Sequence, residues 1–202
     1  MTRGTTQSEA ALELAAKHGV LRLRDAQERG IHHEVLRRLV TEGKLIKVAR
    51  GMYTLAEEST PTDFDLSLAA ARVPNGVVCL ISALFHYGIG TQMPHEVWMM
   101  IDRRAHRPKV DYPPMRFVLG SGASLKEGVE TVVIDEHDVR IFNPAKTVVD
   151  CFRYRRHVGL DVALEALRES LRDRRCTPAQ IWHFAEKCRV TSVLKPYLEA
   201  MS

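Results

Sequence analysis

The sequence predicts an α+β fold, with a short N-terminal domain followed by a larger C-terminal one. Three observations support this prediction. Helical and hairpin patterns occur within the first 58 residues, a segment rich in Thr, Ser and Pro runs from Glu57 to Asp63, and helices with a small sheet and a helical tail follow it. A chain of 202 residues has room for one large domain or two small ones. We therefore expect domains over residues 1–58 and 63–202.

The composition predicts a soluble protein with a substantial core. Hydrophobic residues make up 45% of the chain and charged residues 27%. The longest apolar stretch, Gly76 to Phe85, is far shorter than the roughly 20 residues that a membrane span needs. The first residues lead directly into an Ala- and Glu-rich helical pattern without the apolar core of an export signal. These features predict a cytoplasmic protein.

The four cysteines lie far apart and include no Cys-x-x-Cys pair. This spacing favours reduced, buried thiols over disulfides or a zinc site. Cys176, His183 and Cys188 come nearest to a metal-ligand cluster, but scattered thiols of this kind are usually core residues. We expect no metal ion, no cofactor and no catalytic residues.

Positive charge is concentrated near the N-terminus. The net charge of the chain is +4, and the window from Val20 to Tyr53 alone holds eight basic residues against four acidic ones. A local excess of base is what a surface facing phosphates requires. Charge alone would favour a merely solvated face, so the order of the elements decides between the two interpretations.

Three helices are predicted in the N-terminal domain. Ser8 is the expected N-cap of the first helix, whose apolar stripe ends at Gly19. Leu23 to Arg29 forms a second, short helix, and Gly30 suits its left-handed C-terminal cap. A third helix runs from about His32 to Glu42, with apolar residues on one face only.

A β-hairpin follows the third helix directly. Its strands are predicted at Leu45 to Ala49 and Met52 to Leu55, with a turn at Arg50-Gly51. Three helices followed by a hairpin are typical of a winged helix-turn-helix, in which the third helix enters the major groove of double-stranded DNA. We therefore expect a DNA-binding domain, and from it a transcriptional repressor.

The candidate DNA-binding residues lie on the third helix and on the wing. Guanidinium groups such as those of Arg37 and Arg38 suit guanine edges or phosphate oxygens. Lys47 and Arg50 on the hairpin are placed to reach the backbone or the minor groove. The full predicted set is His32, His33, Arg37, Arg38, Thr41, Lys47 and Arg50. His32 occupies the expected N-cap position, which is an unusual choice of residue there.

The C-terminal domain is predicted to contain helices, a small sheet and a helical tail. A helix from Asp63 to Arg72 and an apolar helix from Val77 to Tyr87 come first. Pro144, Leu160 and Thr177-Pro178 then begin further helices. The strands are predicted at Glu96 to Ile101, Met115 to Leu119, Val129 to Ile134 and Val139 to Phe142.

The segment GIHHEVLRRLVTEGKLIKVARGMYTL, from Gly30 to Leu55, closely resembles the N-terminal domain of the AbiEi family. The likeness lies in a set of positions spaced without gaps, among them Gly43-Lys44-Leu45, Gly51 and Tyr53. Two later segments, VCLISALFHYGI and VRIFNPAKTVVDCFRYR, are more loosely similar to the family's Ser-Ala-Leu-x-x-His-Gly and Pro-x-x-Thr-x-x-Asp segments. Tyr87 departs from the pattern, since the family often has the glycine there.

The resemblance implies a bifunctional antitoxin of a bacterial toxin–antitoxin and phage-defence system. Its first domain would repress its own operon at inverted repeats in the promoter. Its second domain would counteract a partner toxin of the nucleotidyltransferase fold, by contact or indirectly. The resemblance does not transfer individual residues of the C-terminal tail.

An enzyme is the main alternative class. Gly120-Ser121 followed by Glu136 and Asp138 invites comparison with nucleotidyltransferases, which carry two metal-binding acids after a Gly-Ser turn. A charged turn between two strands is the simpler interpretation, and Gly120 to Ser124 is expected to be a flexible loop. A nuclease would need an acid such as Asp102 and a Glu-x-Lys on the next strand, and no Glu-x-Lys strand follows Asp102.

A second basic segment follows the predicted strand at Glu96 to Ile101. It contains Arg103, Arg104, Arg107 and Lys109. The sequence leaves open whether these residues contact DNA or an acidic partner.

Overall fold

The computed structural model describes residues 6–18, 21–56, 63–110, 112–134 and 137–201. The chain divides into two compact units, Met1–Phe64 and Asp65–Ser202. None of the helices within those ranges combines the length and the hydrophobicity that crossing a bilayer would require. The architecture is α+β, as the sequence predicted.

The N-terminal unit consists of three helices and a three-stranded antiparallel sheet. In chain order its elements are α1 Gln7–His18, β1 Leu21–Arg22, α2 Leu23–Glu28, α3 His33–Thr41, β2 Leu45–Ala49 and β3 Met52–Leu55. The strand order is β1-β3-β2, with Leu21 paired to Tyr53 and Leu45 to Leu55. This is a winged helix-turn-helix. Both strands of the predicted hairpin are confirmed, whereas β1 was not predicted.

The core of this unit joins all three helices to the sheet. Leu36 and Leu39 of α3 are buried against Ala11 and Ala15 of α1 and against Leu45 of β2. Ile31, in the turn between α2 and α3, is buried as well, and its amide donates to the carbonyl of Ala26 at 2.9 Å. The turn is therefore anchored to the core, which fixes the direction in which α3 leaves it.

The cap of α1 differs from the prediction. Thr6 caps the helix, because the Glu9 amide donates to Thr6 Oγ1 at 3.3 Å and the Thr6 amide donates to Glu9 Oε2 at 2.8 Å. This reciprocal pair is a capping box. The prediction that Ser8 is the N-cap was wrong, and the Ser8 hydroxyl is left to accept a bond from Arg38.

The chain from α4 onward forms a five-stranded mixed sheet with helices. The elements are α4 Asp63–Arg72, β4 Val77–Val78, α5 Leu80–Tyr87, β5 Val97–Asp102, β6 Met115–Gly120, α6 Ala123–Lys126, β7 Val129–Ile134, β8 His137–Phe142, α7 Pro144–Arg153, α8 Arg155–Val158, α9 Leu160–Arg172, α10 Pro178–Cys188 and α11 Thr191–Ala200. The strand order is β6-β5-β4-β8-β7. The pairs β5–β6 and β4–β8 are parallel, and the other two pairs are antiparallel.

Both faces of this sheet are covered, so successive strand residues alternate between two cores. Trp98 and Met100 pack with α7, α9 and α10, whereas Met99 and Ile101 pack in the cluster that contains Leu66 and Ala69 of α4. The central strands are therefore apolar on both faces, which explains why β5 is a continuous hydrophobic run.

Two predictions for this unit were wrong. The apolar run from Val77 to Tyr87 is not one helix, because Val77 and Val78 form β4 between β5 and β8, and α5 begins only at Leu80. The segment from Gly120 to Ser124 is not an open loop. The buried Ser124 hydroxyl closes the turn by accepting from the Ser121 amide at 3.1 Å, and α6 starts at Ala123.

Candidate nucleic-acid interface

Helix α3, the third helix of the winged helix-turn-helix, is strongly amphipathic. Its buried face carries Leu36 and Leu39, while Arg37, Arg38 and Thr41 lie exposed on the rest of its surface. Because residues four apart share a helix face, His33, Arg37 and Thr41 line one exposed edge. The apolar stripe fixes the helix on the core and leaves this edge free for a ligand.

The two arginines of α3 differ in their surroundings. The Arg37 side chain is 79% exposed, and its Nη1 lies 3.9 Å from Glu34 Oε1, at the limit of an ion pair. Arg38 is held more firmly, because its Nη2 donates to Ser8 Oγ of α1 at 2.7 Å and its Nε lies 3.7 Å from Glu42 Oε1. Arg37 is thus the freer group for reaching a base edge, whereas Arg38 is already oriented along the surface.

The start of α3 combines a weak cap with two imidazoles. His32 Nδ1 accepts from the Glu34 amide at 3.5 Å, which is long for a hydrogen bond. The His32 amide donates to Gln7 Oε1 at 3.3 Å. The rings of His32 and His33 lie 4.6 Å apart, and His33 Nε2 is 3.1 Å from Glu34 Oε1. His32 therefore caps the N-terminus of α3 more weakly than a preferred capping residue would.

Thr41 is the least available of the predicted contacts. Its hydroxyl donates to the Arg37 carbonyl at 3.1 Å. A threonine bonded in this way within its own helix retains only acceptor capacity toward a ligand. Thr41 therefore fits a donor such as the amino group of a base better than a phosphate.

The wing presents its basic residues at the surface. Lys47 and Arg50 are exposed, and within the described parts of the chain neither has an ion-pair partner. Gly51 takes the left-handed conformation that the turn requires, with φ of +76°. Its carbonyl accepts from the Leu23 amide at 2.7 Å, so the turn of the wing is tied to the start of α2.

Sequence reasoning did not find the α1 residues that organise this surface. Gln7 and Ser8 hold the His32 backbone and the Arg38 guanidinium from 25 and 30 residues away. No local pattern could indicate such contacts. The Thr6 to Glu9 spacing did contain the capping-box signal, and it would have freed Ser8 for another role.

The described residues of the enzymatic alternatives lie on separate strands of the sheet. Gly120 ends β6 and Ser121 follows it, whereas Asp138 lies on β8, with β5 and β4 between those strands. Glu136 lies outside the described residues. Asp102 uses its Oδ1 to accept from the Arg104 amide at 2.7 Å.

No group of three or more potential metal ligands occurs in the described parts of the chain. The side chain of His183 is 58% exposed beside Glu127, while Cys176 and Cys188 are buried. All four cysteines are buried, and burial raises the pKa of each thiol, that of Cys176 to about 11. Thiols with raised pKa values are poor nucleophiles at neutral pH.

The motif NPAKTVVD in the C-terminal unit is structural. Asn143 Oδ1 caps α7 by accepting from the Lys146 amide at 2.9 Å, and the Thr147 hydroxyl donates to the Phe142 carbonyl at 3.0 Å. Lys146 and Asp150 form an ion pair with both side chains 0% exposed, and Lys146 Nζ also lies 4.1 Å from the centre of the Phe142 ring. Burial raises the pKa of Asp150, and Lys146 opposes that rise.

The Ser-Ala-Leu segment also has a structural role. Ser82 is buried at the start of α5, and its hydroxyl accepts from the Trp98 amide at 2.9 Å. The same hydroxyl donates to the Glu96 carbonyl at 3.4 Å. It therefore joins α5 to the beginning of β5.

Comparison with known proteins agrees with the class that the fold defines, a protein with an N-terminal winged helix-turn-helix. Residues 9–56 match the model of a family described as "Transcriptional regulator, AbiEi antitoxin". The resemblance predicted from the sequence is thus confirmed over this segment, about a quarter of the chain. The match supports a role as a transcriptional regulator or antitoxin.

A solved structure shares the fold over nearly the whole chain. The crystal structure of the RV2827C protein from Mycobacterium tuberculosis aligns with a TM-score of 0.50 at 14% identity, covering 99% of this chain and 82% of that one. At this identity the likeness concerns the fold alone. No curated protein matches the sequence.

Proposed function

We propose that this protein is an antitoxin that represses its own operon by binding inverted repeats in the promoter. The observation that carries the proposal is the exposed edge of α3, where Arg37 is 79% exposed and only loosely paired. In a winged helix this edge faces the major groove, and an arginine there reads guanine O6 and N7. Lys47 and Arg50 supply phosphate contacts from the wing.

Binding of the full-length protein to DNA from its own promoter tests this proposal. Arg37→Ala with Arg38→Ala should weaken binding by about 1–3 kcal/mol for each lost base contact. Folding should lose little, because both side chains lie off the apolar face and the bond from Arg38 to Ser8 is exposed to solvent. Arg168→Ala with Arg175→Ala is the matched control, since it removes the same charge from exposed positions of the C-terminal unit. Equal affinity of the α3 variant and the control variant for the promoter DNA would show that α3 is not part of the interface.

We further propose that the C-terminal unit counteracts a toxin of the nucleotidyltransferase fold encoded beside it. Two segments of this unit resemble the AbiEi family loosely in sequence, and the unit has its own hydrophobic cores. The antitoxin activity would then be separable from DNA binding.

Co-expression with the neighbouring toxin tests this separation. A fragment from Thr62 to Ser202 should restore growth without repressing the promoter. The fragment's circular dichroism spectrum provides the folding control. If only the full-length chain restores growth while the fragment is folded, the assignment of antitoxin activity to this unit fails.

A further inference from the structure

A basic pocket lies at the carboxyl ends of the parallel strands β5 and β6. Asp102 and Gly120 are the last residue pair of these strands. The chain after each strand contributes to a pocket of about 400 Å³, lined by Asp102, Arg103, Arg104, Ser121, Gly122 and Lys126. The carboxyl ends of parallel strands are a common location for ligand sites.

The backbone of this pocket is held in place by its own hydrogen bonds. The Arg103 amide donates to the Gly120 carbonyl at 2.9 Å, which joins the two segments. The Arg104 amide donates to Asp102 Oδ1 at 2.7 Å, and Ser124 closes the second segment through its bonds to Ser121. A ligand would therefore meet a preformed backbone and would have to order only the exposed basic side chains.

The pocket has an uncompensated positive charge. Arg103, Arg104 and Lys126 face one carboxylate, Asp102, and no ion pair joins any of the three cations to another described residue. The Glu127 carboxylate, next to Lys126, lies 3.6 Å from Lys187 Nζ and 3.8 Å from His183 Nε2 on α10. It therefore pairs with α10 and not with the cations of the pocket. Three cations in one small pocket repel each other, and a bound anion relieves that repulsion.

We infer that this pocket binds a phosphoryl group. Two guanidinium groups, an ammonium group and the Ser121 hydroxyl can together donate to several oxygens of one doubly charged anion. A carboxylate, with two oxygens and one charge, would use only part of this set. The phosphoryl group belongs either to a small phosphorylated molecule, as one doubly charged monoester, or to a nucleic-acid backbone, as two adjacent diesters with one charge each. The inference does not depend on the DNA-binding function proposed for α3.

Calorimetric titration of the full-length protein with inorganic pyrophosphate tests the site. Binding should be saturable, and Arg103→Gln with Lys126→Gln should weaken it by about tenfold or more, since two charge-assisted contacts are lost. Arg107→Gln with Lys109→Gln is the matched control, because it removes the same charge from the same loop outside the pocket. That control should change affinity by less than about twofold. Absence of saturable binding, or equal weakening by the two pairs, would overturn the inference.

Competition then identifies the source of the phosphoryl group. The competitors are a short DNA duplex without terminal phosphates and a nucleoside monophosphate, added in the Arg37→Ala, Arg38→Ala background so that α3 does not contribute. Displacement of pyrophosphate by the duplex assigns the pocket to a nucleic-acid backbone, and displacement by the mononucleotide alone assigns it to a small molecule. Displacement by neither contradicts the inference, because the pocket would then hold only an inorganic anion.

Discussion

Helices α3 and α7 both carry charged side chains, but the surroundings of these charges are opposite. On α3 the Arg37 side chain is 79% exposed and lies 3.9 Å from its nearest carboxylate. On α7 the charges of Lys146 and Asp150 are wholly buried against each other. A charge left at the surface without a close partner is available to a ligand, whereas a buried pair has already met its partner inside the fold. The exposed charge on α3 thus suits the binding site proposed there, whereas the buried charges on α7 stabilise the fold.

The largest expected effect is at the buried pair. Lys146→Met should destabilise the C-terminal unit by about 3–5 kcal/mol, because it leaves the Asp150 carboxylate buried without a partner. Lys146→Met with Asp150→Leu should recover most of that loss. Urea denaturation measures both effects.

A second ion pair with the same spacing provides the control. Lys195 and Glu199 are four residues apart on α11, with side chains 58% and 66% exposed. Lys195→Met should leave the denaturation midpoint unchanged. Equal losses for Lys146→Met and Lys195→Met would mean that burial does not distinguish the two pairs.

A smaller effect is expected from helix caps. Thr177 forms a complete capping box on α10, with its amide 2.8 Å from Gln180 Oε1, whereas the His32 cap of α3 has a donor–acceptor distance of 3.5 Å. Thr177→Ala should lower the free energy of local opening of α10 by about 1 kcal/mol. His32→Ala should cost less, because little capping is lost. Hydrogen exchange of peptides from α10 and α3 measures each, and an equal cost at both sites would show that His32 is there to stabilise α3.

The smallest expected effect is in the salt dependence of DNA binding. Each phosphate contact contributes a slope of about 0.9 in a plot of log affinity against log salt. Arg50→Ala should reduce the slope by one such contact, whereas Arg168→Ala should leave it unchanged. An unaltered slope for Arg50→Ala would exclude the wing arginine from contact with the backbone.

The elements with clear periodicity were predictable, and the shortest elements were not. The hairpin from Leu45 to Leu55 has strand patterns around an Arg-Gly turn, and its bounds were read correctly. β1 and β4 contain two residues each, too few for any period to be visible. They are defined only by distant partners, Tyr53 for Leu21 and Ile141 for Val78.

The candidate site was predictable in its residue types and not in its internal contacts. The amphipathic pattern of α3 was enough to put Arg37 and Arg38 on the exposed side of the helix. The difference between them arises from Ser8, which lies 30 residues away from Arg38. The sequence likewise showed the basic pocket only as a run of bases after β5. Lys126 lies beside Arg103 and Arg104 because β5 pairs in parallel with β6, which no local pattern indicates.

Methylation interference is the most direct measurement of the central claim that α3 reads DNA in the major groove. Guanine N7 faces that groove and is the atom that an arginine fork contacts. Promoter DNA methylated at N7 should be excluded from the complex when the modified guanine lies in a half-site, and Arg37→Ala should abolish this exclusion at a specific guanine. Binding that tolerates N7 methylation throughout the protected region, or an interference pattern that Arg37→Ala leaves unchanged, would contradict the claim.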